Sequence, residues 1–144
     1  MLDFDNEPGA EVYYAAVKRD QARIVFEEAQ RMVKASPILN KRIGCHRANM
    51  HVTKTNSKAE PLSSDKNSLD GLNSHLAVVD EYHAHPTSHV YNVLKSSMGS
   101  RLQPLMMTIT TAGFNVEGPC YQLARTCKEV LEGKKEDESL LALI

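Results

Sequence analysis

Apolar and polar positions along the chain switch between two periods, and each switch marks an element. Val12-Tyr13-Tyr14-Ala15-Ala16-Val17 is a short β-prone run behind a Pro8-Gly9 turn signal, which predicts a buried strand. From about Asp20, residues Ala22, Val25, Phe26, Ala29, Met32 and Val33 recur at helical spacing, so a helix with those six inward is expected. Arg23, Glu27 and Arg31 form successive i,i+4 pairs on another face, read as solvated. Ser36-Pro37 stops the helix, because proline cannot continue its ladder. Ile38 to His46 reads as a short basic connection, Lys41-Arg42 and nearby Arg47 included, before the alternating segment Ala48 to Thr55, a strand with one exposed face. Lys58 to Gly71 is rich in Ser, Asn and Asp and predicts a polar surface excursion, spanning about 54–71 at its widest.

The next stretch, Asn73 to Pro86, organises the rest. Its uncharged run Leu76-Ala77-Val78-Val79 stops abruptly at Asp80-Glu81, the pattern of a buried parallel strand that presents two carboxylates at its C-terminal tip. Open α/β sheets bind ligands at such tips. Thr87 or Ser88 can cap a following helix with Val90, Val93, Leu94 and Met98 inward, and Gly99 lies where a terminal glycine would end it. Leu105 to Thr110, between Pro104 and Ala112-Gly113, predicts a second strand buried on both faces. Pro119 opens a last helix with Cys120, Leu123, Ala124, Cys127, Val130 and Leu131 inward, closed by Gly133. The apolar tail Leu140 to Ile144 fits helix or strand equally. The order strand, helix, two strands, helix, strand, helix predicts an α/β fold with a mostly parallel sheet flanked by helices.

Composition narrows the chemistry. With 144 residues, a formal net charge of −1 and a pI near 6.6, the chain is one domain or part of one and is not, as a whole, a basic nucleic-acid-binding module. Any DNA contact must be local or made elsewhere. Cys45, Cys120 and Cys127 fit neither a zinc knuckle nor a disulfide framework and read as reduced core thiols. The acidic start, Met1 to Glu7, lacks a secretory leader pattern, and no apolar run approaches the roughly 20 residues of a membrane helix. A cytosolic protein with no membrane partner is expected. His83, His85 and His89, close to Asp80 and Glu81, raise a rival reading as ligands of a transition metal in a hydrolase. Their spacing follows no ligand rule, and polar loop residues are the alternative. Arg101 reads as a surface arginine, or as a phosphate or subunit contact.

Three segments together resemble the ATPase domain of the large subunit of tailed-phage terminases, the DNA-packaging motor. They are Tyr14-Ala15-Ala16 running into Lys18-Arg19-Asp20-Gln21-Ala22; Gly71-Leu72-Asn73-Ser74-His75 leading into Val78-Val79-Asp80-Glu81-Tyr82-His83-Ala84-His85; and Arg101-Leu102-Gln103-Pro104-Leu105 leading into Thr108-Ile109-Thr110-Thr111-Ala112-Gly113. The resemblance covers nearly the whole chain, 1–144, and implies a P-loop NTPase (RecA-like) fold in which the strand ending at Asp80-Glu81 is the Walker B strand. By that resemblance Asp80 binds magnesium, usually through water, Glu81 is the catalytic carboxylate that activates water, and Thr110-Thr111-Ala112 is the coupling motif that senses the γ-phosphate of ATP. It also implies double-stranded DNA, portal, small terminase subunit and other motor subunits as partners, in the cytoplasm of a bacterial host.

One departure is large. No Gly-x-x-x-x-Gly-Lys-Ser/Thr loop occurs, and Gly133-Lys134, the one Gly-Lys pair, closes a helix instead of following a strand. The expectation is a truncated domain, without the phosphate loop and the nuclease domain, that binds ATP poorly and hydrolyses it negligibly alone, or a non-catalytic remnant that only binds partners. Truncation would uncover the 105–110 strand, so either self-association through that edge or its cover by Leu140 to Ile144 is expected.

Overall fold

In the computed structural model, residues 5, 7–62, 69 and 71–143 are described, and they build a six-stranded sheet with helices on both faces. The elements are β1 (Glu11–Ala15), α1 (Arg19–Ala35), α2 (Pro37–Asn40), β2 (Gly44–Cys45), β3 (Met50–Val52), β4 (Ser57–Pro61), β5 (Ser74–Val79), α3 (His89–Ser96), β6 (Leu105–Thr108) and α4 (Pro119–Leu131). Strand order is β2-β3-β4-β1-β5-β6. β4, β1, β5 and β6 run parallel, while β2 and β3 form an antiparallel flap against β4.

Alternation along the strands splits the interior in two. Tyr13, Ala15, Ala77 and Val79 face α3, where Val90, Leu94 and Met98 close the layer. Val12, Met50, Val52 and Ala59 face α1, where Phe26 and Val33 cover them. The buried stripe of α1 is Ala22, Phe26, Gln30 and Val33. Met32, expected inward, is 71% exposed, since it lies about 100° round the helix from Val33. Gln30 is buried in its place because its amide Nε2 donates to the carbonyl of His46 at 2.6 Å, tying α1 to the flap.

Three further expectations need correction. The polar excursion of 54–71 contains β4, which sits between β3 and β1. Small Ser57 and Ala59 are buried there, and the intervening Lys58 and Glu60 neutralise each other at 2.9 Å on the opposite face. Polar composition concealed a strand that satisfies its charges in pairs. Residues 63–68 and 70 of the excursion lie outside those described. Second, β6 is not buried on both faces: it is the edge strand, and Leu105, Met107 and Ile109 are 44%, 45% and 49% exposed. Only the other side, Met106 with Cys120 and Leu123, packs against the α3 layer. The tail does not cover this edge, because Leu141 and Leu143 are themselves exposed; Ile144 lies outside the described residues.

Third, Arg101 is not a surface arginine. Its guanidinium is nearly buried and donates to the carbonyls of Pro8, Gly9 and Asn73, with the Glu7 carboxylate 3.6 Å away. It bolts the approach to β1 onto the approach to β5. Among the described residues no helix is long and apolar enough to cross a membrane.

Candidate functional site

β5 is held on both sides by parallel strands, with Val79 level with Ala15 of β1 and Thr108 of β6. Its last residues therefore reach the sheet edge in a fixed place, and the Asp80 N–H continues the ladder by donating to the Ala15 carbonyl at 2.8 Å. The Asp80 carboxylate is half-buried and one of its oxygens, Oδ1, accepts the Glu81 N–H at 2.9 Å. That leaves the second oxygen able to accept from water or a cation.

Glu81 turns the chain. Its backbone is left-handed, with φ 51° and ψ 46°, a conformation that costs a residue with a Cβ roughly 1–2 kcal/mol and that clusters at functional positions. The turn sends Tyr82 inward, where it is 2% exposed, and swings His83 across to the end of β6. Burial pushes the Tyr82 phenol up to about 12, so it stays neutral.

Three hydrogen bonds then join the two strand ends. Ile109 N–H donates to Val79 O at 2.9 Å, Tyr82 N–H donates to Ile109 O at 3.3 Å, and His83 N–H donates to Thr110 Oγ1 at 2.9 Å. The Thr110 hydroxyl donates in turn to the Thr111 carbonyl. The ring Nδ1 of His83 lies 3.1 Å from Glu81 Oε2, 3.2 Å from Thr110 Oγ1 and 3.4 Å from Thr111 Oγ1. The carboxylate is the strongest acceptor of the three, so a proton on Nδ1 points at Glu81. Gly113 follows, and a Cβ there would stand 2.8 Å from the His83 Cβ, so this loop closes over His83 only because position 113 has none.

Asp80, Glu81, Thr110 and Thr111 are thus gathered at one end of two neighbouring parallel strands, with Ala112 exposed beside them. His83, read from sequence as a loop residue or a metal ligand, is what links them. Nothing in the local pattern signalled this; Gly113, thirty residues on, was the sole hint. The other histidines do not join a metal centre. His85 is 4% exposed, lies tilted at 5.6 Å from the Tyr82 ring and aims Nε2 at the Asp80 carbonyl. His89 opens α3. Among the described residues no three His, Cys, Asp or Glu side chains converge to hold a metal.

Comparison with known proteins bears on what this arrangement serves. The family model for the terminase large subunit, ATPase domain, matches residues 1–129. Protein YmfN of Escherichia coli (strain K12) is 49% identical over 75 residues, a match covering 52% of this chain and 16% of that protein. Among solved structures, the HK97 bacteriophage large terminase superposes with a TM-score of 0.74 at 22% identity, over 93% of this chain and 28% of that one. The large terminase of a thermophilic bacteriophage, solved in complex with ADP, gives a TM-score of 0.55 at 15% identity over 73% of this chain and 27% of that one. The chain spans less than a third of the length of these relatives.

Proposed function

The chain belongs to the ATPase-domain family of terminase large subunits, with its P-loop (RecA-like) fold, and from that premise we propose that its Asp80–Thr111 end is the metal and γ-phosphate side of a DNA-packaging ATPase. The observation that carries this reading is the gathering of Asp80, Glu81, Thr110 and Thr111 at the C-terminal tips of adjacent parallel strands. That is the edge where open α/β sheets bind ligands.

The donors fit a magnesium–nucleotide complex in part. Asp80, with a free carboxylate oxygen at the edge, is suited to one water-mediated magnesium contact. Magnesium, when bound, would neutralise charge on the phosphates as they separate. Glu81 holds a carboxylate next to that oxygen and orients and deprotonates the attacking water once its contact with His83 opens. Thr110 and Thr111 offer hydroxyls able to donate to a terminal phosphate, and a rearrangement there is passed through His83 to Glu81. The lysine and the nest of amides that grip β- and γ-phosphates in P-loop enzymes are not among these 144 residues, so this chain alone holds ATP weakly. In the assembled motor, hydrolysis would drive translocation of double-stranded DNA into a procapsid, with portal, small terminase subunit and further motor subunits as partners, in the cytoplasm of a bacterial host. Adding magnesium–ADP and then magnesium–ATP to the labelled protein should move the backbone amide resonances of Glu81, Thr110 and Thr111, and shifts confined to other regions would contradict the assignment.

A second reading is favoured by the exposed edge of β6. The row Leu105, Met107 and Ile109 beside an open strand edge suits pairing with another chain, which makes the protein an interaction module, self-associating through 105–110 or docking on other motor subunits. Sedimentation equilibrium separates the cases: a monomer at high concentration would contradict self-association.

A further inference from the structure

The flap carries two histidines that the Asp80 end does not use. β2 and β3 pair Gly44 with His51 and Cys45 with Met50, and the His46 N–H closes the hairpin by donating to the Asn49 carbonyl at 2.8 Å. Cys45 and Met50 pack into the α1 layer, so alternation turns Gly44, His46 and His51 to the other face of the flap. There the His46 and His51 rings are stacked, with planes 23° apart and centroids separated by 4.8 Å. Gly44 makes this possible, since a Cβ at that position would stand 2.4 Å from His51 Cε1.

Among the described residues neither ring makes a hydrogen bond, although a neutral imidazole carries one donor and one acceptor. The backbone beneath them is nevertheless fixed, because Gln30 donates to the His46 carbonyl at 2.6 Å. Charge on this face is balanced. Lys58, directly opposite His51 on β4, is neutralised by Glu60 at 2.9 Å and Glu11 at 3.8 Å. Arg47 lines a depression with residues of α1, and Lys54 lines another with Val52 of the α1 layer, so both turn toward the opposite face.

We propose that His46 and His51 are the two protein ligands of an exchangeable site for a transition-metal ion of the zinc and nickel class, with water in the remaining positions. Imidazole suits such ions. With metal–nitrogen bonds of about 2.0–2.1 Å, the two ligand nitrogens must come within roughly 3 Å of each other. Rings whose centroids are 4.8 Å apart reach that separation by turning about their Cβ–Cγ bonds, with the backbone unmoved. Cys45 faces the α1 layer and Glu60 is engaged by Lys58, so neither adds a third ligand. Two ligands fall short of the three or four of catalytic and structural zinc sites, which is why the ion exchanges. When bound, it joins β2 to β3 across a hairpin of two residue pairs and stiffens the free edge of the sheet.

Titration of the isotope-labelled, untagged whole chain with nickel chloride in a non-coordinating buffer tests this; nickel is the probe because thiolates compete for it less than for zinc. One equivalent should bind with a dissociation constant on the order of 10 µM, and paramagnetic broadening of amide resonances should centre on Gly44, His46 and His51. His46→Gln and His51→Gln should each weaken binding roughly tenfold or more, since even the loss of an outer-shell partner costs that much at metal sites. His89→Gln should bind like the parent. Zinc should also slow hydrogen exchange at the His46 amide in the parent and not in His51→Gln. Broadening centred elsewhere, no binding at millimolar nickel, parent-like affinity in either flap variant, an equal loss in His89→Gln, or zinc protection that survives His51→Gln would overturn the proposal. No arm of the experiment involves nucleotide, so this inference and the reading of the Asp80 end fail independently.

Discussion

The Nδ1 of His83 stands 3.1 Å from a carboxylate oxygen of Glu81, across a turn in which Glu81 adopts a left-handed backbone. The geometry places the acid against an imidazole that also touches Thr110 and Thr111, so the two strand ends are connected through one side chain.

That turn carries a backbone cost, because Glu81 holds a left-handed conformation with a Cβ. Glu81→Gly removes the Cβ that disfavours φ 51° and should be more stable than Glu81→Ala by about 1 kcal/mol in urea titrations. Both variants lack the carboxylate that meets His83, so that contact drops out of the comparison. Equal stability of the two variants would mean that the backbone there is not held left-handed.

Arg101 behaves as a structural bolt. Arg101→Ala leaves the Pro8, Gly9 and Asn73 carbonyls without their donor and Glu7 without its cation, and should cost about 3 kcal/mol or more, seen as a lowered denaturation midpoint. Arg101→Lys should recover only part of this, since one ammonium cannot replace a planar fork with several donors. A change under about 0.5 kcal/mol, the range of ordinary surface positions, would contradict the assignment.

The ease of reading differed from segment to segment for physical reasons. β5 was legible because an uncharged run ended by two acids is unusual, and α4 because Pro119 and Gly133, the latter at φ 69°, mark its two ends. β4 was not, since Ser57-Lys58-Ala59-Glu60-Pro61 has no large apolar residue, and it is held by its pairing with β1 and β3 while Lys58 and Glu60 meet each other on one face. Arg101 was misread because its partners are backbone carbonyls far away in sequence, which leave no side-chain pattern to detect. In the site, the residue types of Asp80, Glu81, Thr110 and Thr111 were visible, whereas the link through His83 depends on a left-handed turn and a distant glycine.

His85 gives the protein a pH dependence. Burial lowers its pKa, only partly offset by the Asp80 carbonyl, while nearby His83 lowers it further. With the folded value below the unfolded one near 6.5, the unfolded chain takes up the proton first, so its contribution to stability is complete above that pH and is lost as pH falls through the folded value. The parent should therefore lose more stability between pH 7.5 and pH 5.5 than His85→Gln does. Parallel pH profiles for the two proteins would show that His85 is not the group responsible.

Whether the Asp80 tip is a metal–nucleotide site is decided by isothermal titration calorimetry with magnesium and ATP, on this chain and on Asp80→Ala. Weak binding is expected, with a dissociation constant on the order of 1 mM, dependent on magnesium and lost in Asp80→Ala. Binding of equal strength in both proteins, or no heat from either at saturating nucleotide, would contradict it and leave the β6 edge as the working surface of an interaction module.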